Sequence, residues 1–169
     1  MIQFKLKGVD FLNINDEFMN IAGEIIKHPE MQRLKCYTHH IGTTRFDHSV
    51  KVANLSYKIA KFLNLDYVSA LRGALFHDLF FYDYREEGMG ILKHSSHHPK
   101  IALKNALEIC ELNKIEKDII LKHMWLADYK FPRYKESYVV TFADKICAVY
   151  EVFRGIKRKR FIENNEMFI

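Results

Sequence analysis

The chain has 169 residues, 49% of them hydrophobic and 28% charged, which suits one ordinary domain with a real core and excludes a largely disordered protein. Its formal net charge of +5 suits an anionic ligand. Three cysteines, Cys36, Cys110 and Cys147, stand without CxxC spacing, which excludes a disulfide framework and predicts buried small apolar side chains.

The opening MIQFKLKGVDFLNIND carries charges through its apolar positions, so it offers neither a signal-peptide core nor a membrane span. Cytoplasm is the expected compartment, with no membrane partner. A first helix is predicted after an Asn15 or Asp16 cap, through EFMNIAGEIIKH to His28-Pro29. A second covers DHSVKVANLSYKIAKFLN, where His48, Val52, Leu55, Ile59 and Phe62 share one face. YVSALRGALFHD forms the next, and REEGMGILKHSSHH reads as a loop because of its glycines and polar clusters. HPKIALKNALEICE then puts His98, Ala102, Ala106 and Ile109 in register, with Pro99 in the first turn. KIEKDIILKHMW sets Ile119, Ile120 and His123 on one face, before a loop around LADYKFPRY. In the last long helix, YVVTFADKICAVYEVFRG, Asp144 is in phase with Val140, Cys147 and Ala148. Only IQFKLKG hints at period-two alternation. The expected fold is all-α, a bundle of six or seven helices forming one domain over residues 1–169. The basic run RGIKRKRF, from Arg154 to Phe161, reads as a solvated helix end with a cationic last turn. No aromatic platform or nucleic-acid motif accompanies it, so a nucleic-acid partner is not expected.

The stretch LRGALFHDLFFYDYR ends an apolar helix on a histidine and an aspartate, a costly placement unless the two are paired or bind metal. His48, the His77-Asp78 pair, His98, His123 and Asp144 all lie on or at the end of core-facing helices. One shared metal centre satisfies them together, whereas otherwise each needs its own buried partner. Imidazole and carboxylate without thiolate favour Mn, Fe, Co, Ni or Mg with open coordination positions over structural zinc; catalytic zinc stays compatible.

Arranged in this order, His48 in TRFDHSVKVA, His77 and Asp78 in LFHDL, and Asp144 in VTFADKICA, the chain resembles the HD superfamily of metal-dependent phosphohydrolases from about Met31 to Val152. On this reading residues 31–152 form the HD core and 154–169 a basic tail. HHPKIALKNA and IILKHMW are similar to segments of two-metal members, which implies that His98 and His123 bind a second ion with Asp78 as the bridge. The nearest branch is the bacterial diadenosine tetraphosphatases, and more distantly the HD-GYP cyclic dinucleotide phosphodiesterases. The alternative is one ion at His48, His77, Asp78 and Asp144, with His98 and His123 binding or protonating substrate. MQRLKCYTHHIGTTRFDHS resembles the entry segment of HD deoxynucleotide triphosphohydrolases, implying that Arg33 and Arg45 clamp phosphate bidentately. His39 and His40 either line the pocket or cap a loop. The chain departs from these relatives in lacking a lysine after HD, the HTTG continuation after His123 and a GYP motif. Phe81 and Tyr82 stand where guanosine tetraphosphate hydrolases carry an acidic pair.

The resemblance implies metal-assisted hydrolysis of a phosphoester or phosphoanhydride, in a nucleotide or another small phosphorylated molecule. Asp78 holds metal and takes the water proton. The leaving oxygen takes a proton from His98 if one ion binds, or from Asp83 if two do, and Lys145 reaches phosphate or snorkels outward. A mononuclear 5'-nucleotidase, a non-catalytic metal- or nucleotide-binding sensor and a purely structural hydrogen-bonded network are the competing readings. Tyr82, Tyr84, Trp125 and Tyr129 are candidates for stacking on a base. A homodimer is the base-rate assembly.

Overall fold

Asn15 opens α1, Asp16–Lys27, by accepting the Phe18 backbone N–H on its side chain at 2.8 Å. The computed structural model describes residues 13–40, 42–83, 88 and 90–166; the IQFKLKG stretch and Tyr84 fall outside them. Pro29 ends α1 and starts α2, Pro29–Arg33, at its first helical position. A 3-10 turn, Leu34–Cys36, leads into a short antiparallel hairpin, β1 (Thr38–His40) and β2 (Thr43–Thr44), which turns through Gly42 at φ 75°. These strands are too short to show an alternating pattern, and the sequence reading did not anticipate them.

Thr44 caps α3, Arg45–Phe62, by accepting the Asp47 N–H. Its stripe holds for His48, Val52 and Leu55, which are buried, but Phe62 is 85% exposed. The buried face drifts to Ala53, Tyr57 and Ala60 in the last turns, as a 3.6-residue period requires when the packing surface is a short neighbouring helix. That neighbour is α4, Tyr67–Phe76, capped by Asp66. From Ser69 to Phe80 every residue except Arg72 is buried, so α4 is a core helix, apolar apart from the Arg72 side, packed between α3 and α6. It approaches α6 so closely at Gly73 that a Cβ there would lie 2.8 Å from Ile119. Arg72 reaches outward to Glu116 at 2.6 Å.

The next helix corrects the expected loop: α5 runs Ile91–Ile109, beginning directly after Gly90, so ILKHSSHH is helical and Pro99 sits in the helix interior. The glycines mark the helix start rather than a long loop. The missing Pro99 N–H costs about 3 kcal/mol in an isolated helix, offset here by burying Ser95, His98 and Ala102 on one face. A capping box of Asn113 and Glu116 starts α6, Lys114–Lys122. LADYKFPRY is part helix, α7 (Trp125–Asp128), ended by left-handed Tyr129 at φ 57°. The last helix, α8, spans Lys135–Glu166 and takes in most of the basic run, with Arg154 and Lys157 exposed. The described residues thus form an all-α bundle of eight helices, two of them barely a turn long. Among the cysteines only Cys147 is buried; Cys110 is half-buried and Cys36 exposed, because the turn that carries Cys36 lies on the surface.

Candidate metal centre

Five helices and β1 deliver their ionisable side chains to one point. His48 comes from the first turn of α3, His77 and Asp78 from the end of α4, His98 from the middle of α5, His123 from the end of α6 and Asp144 from α8. All six are at most 5% exposed. They form two sets, His48 with His77 and Asp144, and Asp78 with His98 and His123; within each set the donor atoms lie within 4.8 Å of one another. A third set joins His39 to His48 and Asp78. The structure therefore brings all six sequence-identified candidates together and adds His39, whose ring stacks on His48 with centroids 3.9 Å apart.

Three of the imidazoles are oriented in the same way. His77 and His123 sit just past the last turns of their helices, where Nδ1 faces the carbonyls of Ala74 and Ile120 at 2.7 and 2.8 Å. His98 Nδ1 faces the His94 carbonyl at 3.0 Å. A carbonyl only accepts, so each Nδ1 carries a hydrogen, and in the neutral ring each Nε2 presents a lone pair inward. His98 Nε2 and His123 Nε2 are 2.8 Å apart, close enough to share one proton or, with both rings neutral, to turn two lone pairs on one cation. His77 Nε2 is buried without a hydrogen-bond partner. Asp78 Oδ1 lies 3.3 and 3.6 Å from the Nε2 atoms of His98 and His123, and its Oδ2 lies 3.6 Å from His77 Nε2. Imidazole nitrogens around two carboxylates are a donor set that fits a divalent cation.

His48 differs. Its Nε2 meets Asp144 Oδ1 and its Nδ1 meets Glu151 Oε2, both at 3.0 Å. Burial works against its charge, but these two carboxylates outweigh burial and raise its pKa to about 9. Without metal, an imidazolium fills that position. Asp144 is held well below the carboxylate range: burial raises it, but His48 and Lys145 prevail. Asp78 is likewise held low against burial by His77 and His98. His123 is pushed well below 6.5, by burial first and then by the His98 and His77 charges.

The carboxylate behind His48 escaped the sequence reading. Glu151 is 1% exposed and also pairs with Lys51 at 2.8 Å. Its signal was available: it lies seven residues after Asp144, in phase on an otherwise apolar face. His94 was also missed, though it stands one turn before His98. It stacks on that ring with centroids 4.5 Å apart, meets the Tyr82 hydroxyl at 3.1 Å and is lowered to about 4 by burial and by His98.

Asp78, His98, His123 and Asp144 of the cluster line a cavity of about 290 Å³, together with His39, Arg45, Asp83, His94 and Lys145. Lys145 Nζ lies 2.7 Å from Asp144 Oδ2 at the wall. Arg45 is 4% exposed and donates to the carbonyls of Phe80 and Tyr82, with its guanidinium 3.6 Å over the Phe80 ring. It therefore ties residues 80–82 to α3 while edging the cavity. Arg33 is not brought there: its guanidinium stacks 4.3 Å over Phe81 and lies 3.4 Å from Glu30. Nor do Tyr82, Trp125 and Tyr129 line the cavity; Trp125 packs on Phe131 and Tyr138, and Tyr129 is 80% exposed.

Comparison with known families matches residues 45–149 to the HD domain. No curated protein and no solved structure matches the chain. The matched segment runs from the arginine beside the cavity to just past Asp144, and so contains every member of the cluster except His39.

Proposed function

Because the chain belongs to the HD-domain family, whose members are generally metal-dependent phosphohydrolases that bind divalent metal, we propose that it hydrolyses a phosphoester or phosphoanhydride bond of a nucleotide. The observation that carries this reading is the convergence of the Nε2 atoms of His77, His98 and His123 with the carboxylates of Asp78 and Asp144 at the floor of a cavity. Bound divalent metal would supply Lewis acidity and lower the pKa of water. His48, His77 and Asp144 would hold one ion and His98 and His123 a second, with Asp78 between the sets; the close His98–His123 approach favours two ions over one.

The chain's own groups then have defined tasks. Asp78, held anionic, accepts the proton of the attacking water. Glu151 fixes the His48 ring and its tautomer from behind. Lys145 and the edge of Arg45 face the phosphate oxygens, where charge grows in the transition state. Asp83, at the cavity wall, delivers the proton to the leaving oxygen. Metal content per chain for wild type and His98→Ala, with release of phosphate or nucleotide from a panel of mononucleotides and dinucleotide polyphosphates, tests the reading. Two metals falling to one, with activity abolished in Asp78→Ala, supports it. Retained turnover in Asp78→Ala refutes the mechanism, and metal bound without turnover of any phosphoester would make the chain a binding module.

A further inference from the structure

We propose that α8 docks this protein onto anionic membrane surfaces through an apolar stripe edged by cations. The inference is independent of the hydrolase reading. Tyr138, Phe142, Val149, Val152, Phe153 and Ile156 follow one another at helical spacing and are between 37% and 64% exposed. They form a ridge along a helix whose opposite face, through Val140, Ala143 and Cys147, is in the core. Charge on the helix is segregated. From Lys135 to Lys157 its only acidic residues are Glu136, Asp144 and Glu151, all turned inward and buried, whereas Lys135, Arg154 and Lys157 are exposed.

Between residues 135 and 157 the outward face is apolar and cationic with no exposed acid, and that combination selects its partner. A second copy of this chain, laid ridge to ridge over residues 135–157, would bring the same cations against these and no exposed carboxylate from that stretch to meet them. A nucleic acid would meet the cations but leave the Phe, Val and Ile side chains against phosphate. The boundary of an anionic bilayer offers both phases at once, headgroup charge for Lys135 and Lys157 and acyl carbon for the ridge, and it needs no shaped groove to receive a convex helix. Among the described residues no helix is long and apolar enough to cross a membrane, so the contact lies on the surface. The expectation of no membrane partner rested on the lack of a leader or span, and a docked helix needs neither. Lys145 and Ala148, which line the cavity, fall between Phe142 and Val149 on α8, so the ridge runs past the cavity.

Co-sedimentation of the full chain with phosphatidylcholine vesicles, with and without phosphatidylglycerol, tests the proposal. Each cation near such a surface contributes about fivefold to partitioning, so Lys135 and Lys157 together favour the anionic vesicles by roughly twenty-five-fold at low salt, less as salt rises. Phe142→Ser/Phe153→Ser and, separately, Lys135→Glu/Lys157→Glu should each lose at least about tenfold of that binding, with circular dichroism and thermal midpoint unchanged because all four side chains are exposed. Equal binding to both vesicle types, or none to either, overturns the proposal. So does a wild-type dimer that the Phe142→Ser/Phe153→Ser pair dissociates, since a second copy would then cover the ridge.

Discussion

Metal binding should expel a proton from His48. In the metal-free chain the ring lies between Asp144 and Glu151, 3.0 Å from each, and titrates at about 9. A metal ligand must offer a lone pair on Nε2, so the ion competes with a proton that is about two units tighter than neutral pH, a handicap of about 3 kcal/mol or roughly a hundredfold in apparent affinity. The affinity should therefore rise about tenfold per pH unit from 7 to about 9 and then level off. Calorimetric titration of the metal-free protein at pH 7, in buffers of different ionisation enthalpy, should show close to one proton released for the ion that engages His48. Glu151→Gln removes one of the two carboxylates and should cut that release substantially. Metal affinity that does not change with pH across this window, or release unaltered in Glu151→Gln, would refute the assignment of the proton to His48. The same shift bears on stability. A raised folded-state pKa stabilises fully below the unfolded value of 6.5 and is lost as pH rises through about 9. The lowered carboxylates of Asp78, Asp144 and Glu151 act in the opposite sense, stabilising above their unfolded values and failing in acid. His94 and His123, both lowered in the folded chain, likewise stabilise above 6.5 and fail below it, so metal-free thermal midpoints should peak at about pH 6.5 and fall on both sides.

Gly73→Ala places a methyl 2.8–3.0 Å from three atoms of Ile119; overpacking of about 1–3 kcal/mol should outweigh the helical gain of up to about 1 kcal/mol, lowering the denaturant midpoint, and Ile119→Ala in the same chain should recover part of the loss. Thiol alkylation at pH 8 should label exposed Cys36 and spare Cys147, which burial pushes up to about 12; mass spectrometry of the peptides reads this directly. Arg45→Lys cannot span the Phe80 and Tyr82 carbonyls together and should cost about 1–3 kcal/mol, with faster proteolysis after residue 80 while α3 and α4 stay protected.

Helical periodicity made much of this protein legible in its sequence. His48, His98 and Asp144 could be assigned to inward faces because each recurs in phase with Val, Ala or Cys, and His77 and Asp78 because α4 is apolar apart from the Arg72 side. The FHD triplet reads as ligands for the same reason: a helix buried along nearly all its length carries His77 and Asp78, at its end, into the interior. What periodicity cannot supply is the relation between elements. That His98 and His123, 25 residues apart, set their Nε2 atoms 2.8 Å from each other is decided by the packing of α5 on α6. That Glu151 rather than solvent faces His48 Nδ1 follows from the packing of α3 on α8 across 103 residues of sequence. Arg33 and Arg45 are both phosphate candidates in the sequence, Arg45 the better placed three residues before His48; the hairpin and 3-10 turn, too short to leave a pattern, carry Arg45 to the cavity edge and leave Arg33 on Phe81. The start of α5 was hidden by two glycines and a proline whose local preferences are outweighed by the burial of Ser95, His98 and Ala102. The sequence thus determined which side chains face inward, because that depends on spacing along one helix. Only the tertiary structure decided which of them meet, because meeting depends on where the helices cross.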